Sequence, residues 1–277
     1  MTVSPAAFEF IRRHVREHSA IVLDDTKLYL VELRLQPLLA EARLKTIDEL
    51  AVAVRDDPRG PLARKVVESI CTNETSFFRD PGTFEALRRT ILPQLVASRA
   101  SQRQLRIWCA ACSSGQEPYS VAMTLVEHFP ELASWRVEIL ATDLSTSMIE
   151  RSRAGVFSQF EVGRGLPAIS LVKHFEQSGS EWRIRESLRR MVQFRTLNLS
   201  QAFGVTPGFD LVLLRNVLIY FDLEARTRVL QQVREVLSPA GFLFLGAAEN
   251  MLGLDVGLEH LLPERTACYR RQLKPAA

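Results

Sequence analysis

Leu105-Arg106-Ile107-Trp108-Cys109-Ala110-Ala111-Cys112-Ser113-Ser114-Gly115-Gln116-Glu117-Pro118 is the stretch on which the reading of the fold turns. Leu105 to Ala111 has the composition of a strand. A turn of small residues follows, and then a helical pattern from about Pro118 to Phe129. The same texture continues downstream. Val137–Ala141 and Val192–Leu197 read as strands, and Phe209–Leu214 is apolar enough to be buried on both faces. A helix over Leu223–Leu237 leads through Ser238-Pro239-Ala240-Gly241, read as a turn, to the strand Phe242–Leu245. Strands alternating with helices predict an α/β domain built on a doubly wound, mostly parallel sheet over residues 104–277. Residues 155–190 break the alternation with Gly163, Gly165, Pro167 and Gly179 around a short strand pattern, Trp182–Arg185. They predict a small inserted β-subdomain.

Upstream the period changes. Phe8, Ile11 and Val15, then Leu28, Val31, Leu35, Leu38 and Leu39, recur at the helical spacing, with Pro37 expected to kink or end the second helix. Thr46 with Glu49 forms a capping box for Ile47–Val54. Asp56 to Pro61 punctuates the chain before a helix over Leu62–Ile70. Residues 1–75 are therefore expected to form an all-helical N-terminal domain, and residues 76–103 a linker and connecting helix.

Composition limits the function classes. The 277 residues hold 35 Lys+Arg against 32 Asp+Glu, 47% hydrophobic residues and 24% charged ones, the profile of an ordinary globular chain. The net charge of +3 is spread evenly, because residues 1–100 carry 15 basic and 14 acidic side chains. No basic stripe marks a nucleic-acid partner. The start of the chain lacks the pattern of a signal peptide, and the apolar run Phe209–Phe221 is interrupted by Asp210, Arg215 and Asn216, so no direct membrane insertion is expected. Four cysteines in a chain of this length do not make a disulfide framework. These features point to a cytoplasmic protein.

Ligands of such sheets lie beyond the carboxyl ends of the strands. The turn after the first strand has a single Gly115 and no G-x-G-x-x-G, which disfavours a pyrophosphate. Its small side chains suit a nucleoside. Asp143, ending the second strand, is placed to accept bonds from ribose hydroxyls, or equally to cap a helix over Ser145–Arg151. Two motifs are read as decoys. Cys109 and Cys112 have C-x-x-C spacing but stand ahead of the helix start, and are expected to be small apolar filling residues. His14-Val15-Arg16-Glu17-His18 matches H-x-x-E-H, but Arg12, Arg13 and Arg16 surround it. A solvated face is expected there, and no metal.

Four blocks together resemble the chemotaxis receptor methyltransferase (CheR) family, in that family's order. They are Cys71-Thr72-Asn73-Glu74-Thr75-Ser76-Phe77-Phe78-Arg79, Ala110 through Ser120, Ala141-Thr142-Asp143-Leu144-Ser145, and Arg215-Asn216-Val217-Leu218-Ile219-Tyr220-Phe221. The likeness reaches the closing Ala267-Cys268-Tyr269-Arg270. It implies a Rossmann-like class I methyltransferase sheet, S-adenosylmethionine as cofactor with S-adenosylhomocysteine as product, and methyl esterification of glutamates on chemoreceptors. It also implies a monomer that acts on the receptors' cytoplasmic helical bundle. The family's cofactor positions fall on Asn73, Thr75, Arg79, Glu117, Asp143, Asn198, Leu199, Arg215 and Asn216, and its catalytic positions on Arg79 and Tyr220. Docking on the receptor through the second helix falls on Arg34. In some members the inserted subdomain holds a receptor tether; the hairpin over 175–185 is short here, and no tether is expected.

The chemistry agrees independently. A glutamate of pKa about 4.3 is ionised at neutral pH, so in-line displacement needs alignment and no general base. Enzymes that methylate amide or adenine nitrogens carry an [N/D]-P-P-[Y/F] run after the fourth strand, where this chain has Asn216-Val217-Leu218-Ile219-Tyr220. The acceptor is read as oxygen. A small-molecule carboxylate methyltransferase and a cofactor-binding signalling module without turnover stand as alternatives.

Overall fold

The computed structural model describes residues 3–261 and 266–272. The chain divides into two compact units. The first is residues 1–72 with two returning segments, 198–201 and 220–226; the second holds residues 73–197, 202–219 and 227–277.

Four helices build the first unit: α1 (Pro5–Ser19), α2 (Leu28–Ala42), α3 (Ile47–Asp56) and α4 (Pro61–Ile70). Ser4 caps α1 by accepting from Ala7 N at 3.2 Å, and Thr46 caps α3 by accepting from Glu49 N at 3.1 Å. Ile11, Val15, Val31, Leu35, Leu50, Val54 and Val66 close its core. Pro37 does not end α2. Pro37 and Leu33, whose carbonyl loses its helical partner, are both exposed, so water can serve that carbonyl while Leu35 and Leu38 anchor the buried side. His14 corrects the expected solvated face. It is 4% exposed, its ring 4.2 Å from that of His18 at a tilt of 36°, and hydrogen-bonded to the Ala63 carbonyl. Burial holds its pKa below the usual histidine value, and the neighbouring His18 lowers it further.

In the second unit, α5 (Pro81–Ala86), a π-helical turn over Leu87–Ile91 and α6 (Leu92–Arg99) form one continuous run that enters the core through Phe84, Leu87, Ile91, Leu92 and Leu95. The chain then alternates through β1 (Gln104–Ala110), α7 (Gln116–His128), β2 (Arg136–Asp143) and α8 (Thr146–Ala154). An insertion follows: β3 (Val156–Ser158), α9 (Gln159–Val162), α10 (Ala168–His174), β4 (Phe175–Ser178), β5 (Glu181–Ile184) and α11 (Glu186–Arg189). β6 (Val192–Thr196), β7 (Phe209–Leu214), α12 (Leu223–Val236), β8 (Leu237–Leu245), β9 (Leu258–His260) and β10 (Cys268–Arg271) complete it.

The main sheet runs β6-β2-β1-β7-β8-β10-β9, parallel from β6 through β8 and antiparallel beyond. The insertion folds as its own antiparallel sheet, β3-β5-β4. Alternation along β1 sends Leu105, Ile107 and Cys109 into one core, and Trp108 the other way, against Phe203 and Phe209. The expected turn at Ser238–Gly241 is instead the start of β8. Leu237 pairs with Phe209 and Phe242 with Leu211, so a register shift leaves residues 238–241, with Pro239 among them, without register partners on β7.

Register positions the site. Ala110 pairs with Thr142 and with Leu214, and Leu214 pairs with Leu245. The residues that follow, Ala111, Asp143, Arg215 and Gly246, therefore stand level with one another at its carboxyl edge. The order changes direction on either side of β1, which is where ligands of such sheets bind.

Gly165 joins the insertion to the loop ahead of α5. It has φ +87°, and a Cβ there would stand 2.2 Å from the Phe77 carbonyl oxygen. Gly165→Ala is expected to cost about 2 kcal/mol and to lower the thermal midpoint by about 5 °C. A melting curve unchanged from the parent would contradict this packing.

Candidate active site

The segment from Asn73 to Asp80 is fixed from both ends. Ser113 Oγ donates to the Asn73 carbonyl at 2.7 Å, and Phe78 N donates to Ser120 Oγ at 3.0 Å. Phe77 is fully buried edge-on to Phe157 and Phe175. Phe78 and Asp80 both take positive φ, 49° and 57°. The resulting loop presents Arg79, half-buried, with its guanidinium braced on the Glu74 carbonyl at 2.7 Å. Thr75 lies half-buried on the same segment.

Arg215 is a buried charge at the carboxyl edge. Its side chain is 1% exposed and donates to Glu117 Oε2 at 2.7 Å, Asp80 Oδ2 at 2.8 Å and the Arg79 carbonyl at 2.7 Å. Its Nε is buried without a partner. Glu117, in the first turn of α7, is itself buried. Burial pushes its carboxyl above the usual range, against the pull of the Arg215 and Arg79 guanidinium groups.

Asp143 joins the turns after β1 and β2. One carboxylate oxygen accepts from Ser113 N at 2.7 Å and the other from Ser145 N at 3.0 Å. It does not cap α8, because Ser145 does so through Met148 N. Ala111, Ser113 and Gly115 all take positive φ in the turn after β1, and α7 begins at Gln116, two residues before the expected Pro118. Cys109 and Cys112 are buried free thiols, and burial pushes both well above the usual thiol value. Among the described residues no group of three or more His, Cys, Asp or Glu side chains is placed to hold a metal ion.

With this geometry in view, the chain matches the all-alpha domain of the CheR methyltransferases over residues 6–70 and their SAM-binding domain over residues 73–264. The chain belongs to the CheR methyltransferase family. Among its relatives, chemotaxis protein methyltransferase 1 of Pseudomonas aeruginosa is 40% identical, covering 92% of this chain and 93% of that protein. A chemotaxis protein methyltransferase of Vibrio parahaemolyticus is 39% identical, covering 92% of both. Cher2 of Pseudomonas putida is 37% identical, covering 92% and 94%.

The family positions read from the sequence thus divide between the units. Asn73, Thr75, Arg79, Glu117, Asp143, Arg215 and Asn216 lie in the second unit, and Asn198, Leu199, Tyr220 and Arg34 in the first. Within that first unit, Asn198 donates through Nδ2 to the His18 carbonyl at 2.6 Å and accepts from Ser200 N at 2.9 Å, while Leu199 is buried. Tyr220 is half-buried, and its carbonyl accepts from Val22 N at 2.9 Å. Arg34 is half-buried, and its guanidinium donates to the Ile70 carbonyl and to Thr72 Oγ1, closing the end of α4.

The sequence reading missed Asp80 and Glu249. Asp80 follows Arg79 directly, and Glu249 lies four residues beyond the end of β8. An acid just past a strand was the signal available for Glu249, the same signal that selected Asp143.

Two outcomes test these assignments. A disulfide exchange reagent should titrate no more than one thiol in the native protein, half-buried Cys71, and all four in denaturant; early reaction at Cys109 or Cys112 would overturn their burial. Arg215→Met should cost about 3 kcal/mol by leaving Glu117 without its guanidinium. Because a raised carboxyl binds its proton more tightly in the folded state, the deficit should be small near pH 4 and grow as pH rises through the folded-state pKa. Denaturant titrations showing the same deficit at pH 5 and pH 8 would remove Glu117 from this account.

Proposed function

We propose that this protein transfers the methyl group of S-adenosylmethionine to glutamate side chains on chemoreceptors, forming methyl esters. The reading is carried by continuity: both domains of one methyltransferase family follow each other in order along the chain. Relatives aligned over 92% of it are named chemotaxis protein methyltransferases.

The carboxyl edge of the sheet suits that cofactor. Ala110, Ala111 and Ser113 leave room beside β1, and the buried, unpartnered Arg215 Nε is a donor available to a ligand. In this reading Asn73, Thr75, Arg79, Glu117, Asp143, Asn198, Leu199, Arg215 and Asn216 carry the cofactor contacts. When bound, the cofactor supplies a methyl carbon on a positively charged sulfur, which keeps the bonding electron pair as the ester bond forms. Arg79 holds the acceptor carboxylate by charge-assisted hydrogen bonds, and Tyr220 orients it. No proton has to be removed from an ionised glutamate, so the chain needs no general base there.

The partner in this reading is the cytoplasmic helical bundle of a receptor. With Arg34 committed to the end of α4, the exposed Arg43 and Lys45 supply the positive charge available beyond α2. Among the described residues no helix is long and apolar enough to cross a membrane, in keeping with action on the receptor's cytoplasmic part.

Labelled S-adenosylmethionine incubated with receptor cytoplasmic fragments should leave alkali-labile label on the receptor. Alkali-stable label, or label on a small molecule only, would refute the ester. Arg79→Ala should lower turnover by about 100-fold while changing cofactor affinity by less than about tenfold; undiminished turnover would remove Arg79 from the chemistry.

A further inference from the structure

Glu249 stands in the short turn after β8, 6% exposed, and both of its carboxylate oxygens are filled by backbone donors. Oε2 accepts from Asn216 N and Gly246 N, each at 2.7 Å. Oε1 accepts from Val217 N at 2.9 Å and Ile219 N at 3.3 Å. One side chain thus gathers four N–H groups from the segments that follow two neighbouring parallel strands, β7 and β8.

The local backbone is built around this contact. Asn216 has φ +57°, a conformation that a residue with a Cβ seldom adopts unaided. Gly246 has no room for a Cβ, which would lie 2.6 Å from Asn216 Nδ2, 2.8 Å from Asn216 N and 2.8 Å from Glu249 Oε2. Glu249 N in turn donates to the Gly246 carbonyl at 2.9 Å, closing the turn that aims the carboxylate back under the neighbouring loop. The two oxygens of a carboxylate together offer four lone-pair sites, one for each of these donors.

We propose that Glu249 is a positioning residue for methyl transfer, holding the backbone from Asn216 to Ile219 so that Arg215, Asn216 and Tyr220 keep their working conformation. The inference rests on the proposed function for the roles of those three residues. It does not rest on it for the clamp itself. Arg215 immediately precedes the clamped segment and carries the ion pairs to Glu117 and Asp80. Tyr220 immediately follows it in the chain. Glu249 acts through its neighbours and is assigned no contact with substrate.

Glu249→Gln keeps the size of the side chain but replaces one acceptor oxygen with a donor amide, so two of the four N–H groups must lose their partner. Glu249→Asp keeps the charge and shortens the reach. Four readouts apply to both variants and the parent: thermal melting, amide hydrogen exchange at residues 216, 217, 219 and 246, calorimetric titration with S-adenosylhomocysteine, and steady-state methylation of receptor cytoplasmic fragments. For Glu249→Gln the proposal expects a cooperative melt above the assay temperature and amide exchange at least tenfold faster at these residues. It also expects affinity for S-adenosylhomocysteine weaker by about tenfold and kcat lower by about 100-fold. Glu249→Asp should fall between it and the parent. Unchanged exchange would show that no clamp exists. Faster exchange with kcat and affinity within twofold of the parent would show that the clamp positions nothing. A loss of kcat fully accounted for by unfolding in both variants would reduce Glu249 to a stabilising role and overturn the proposal. If the parent protein itself methylates no receptor fragment, the glutamate reading fails; exchange and S-adenosylhomocysteine affinity then still decide for or against the clamp.

Discussion

A guanidinium withdrawn from water must find opposite charge and hydrogen-bond acceptors, or the fold that buries it is lost. Arg215 is in that position just past the end of β7, and its three partners come from two places: Glu117 at the start of α7, and the Asp80 carboxylate and Arg79 carbonyl of one loop. Because α7 follows β1 and the Arg79–Asp80 loop precedes α5, one side chain ties the centre of the sheet to the loop that presents Arg79. The arrangement also explains why the buried carboxylate of Glu117 and the half-buried one of Asp80 can stand near one another, since each faces the same cation. The one nitrogen left over, Arg215 Nε, is buried without a hydrogen-bond partner.

The backbone around this cation follows the same rule of satisfied polar groups. A parallel sheet ends its strands in loops whose N–H groups have no ladder partner. Here carboxylates supply the acceptors: Asp143 for Ser113 and Ser145, Glu249 for Asn216, Val217, Ile219 and Gly246. The positive φ values at Ala111, Ser113 and Asn216 cluster in these loops, where such bonds can hold a backbone that is unfavourable in isolation. The carboxyl edge of the sheet is therefore shaped by acids that face inward to the backbone. Charge at the opposite end of the sheet has a different role: Asp210 binds Arg99 and the Arg106 backbone and steadies the amino ends of the strands.

The helical unit shows how tertiary context overrides local signals. Pro37 sits inside α2 because the lost hydrogen bond falls on the exposed side, while Leu35 and Leu38 hold the buried one. His14 and His18 have the spacing of a metal site, yet one is buried against the Ala63 carbonyl and the other packs tilted against its ring. Arg34 reads from the sequence as a helix-surface charge, and its guanidinium is hydrogen-bonded at the end of α4.

Periodicity and strand composition were enough to read the four helices of the first unit and the parallel strands β1, β2, β6 and β7, because burial on a sheet or bundle face imposes those patterns on the chain. The four sequence blocks were likewise enough to name the family and to nominate Arg79, Glu117, Asp143, Arg215 and Asn216. What those residues bind within the protein was decided only in three dimensions. Arg215 pairs with Asp80 across 135 positions of chain and with Glu117 across 98, and no local pattern encodes such a pairing. Glu249 lay outside every block because its role comes from strand register: β7 and β8 end level with each other, and only that alignment brings four backbone donors within reach of one carboxylate.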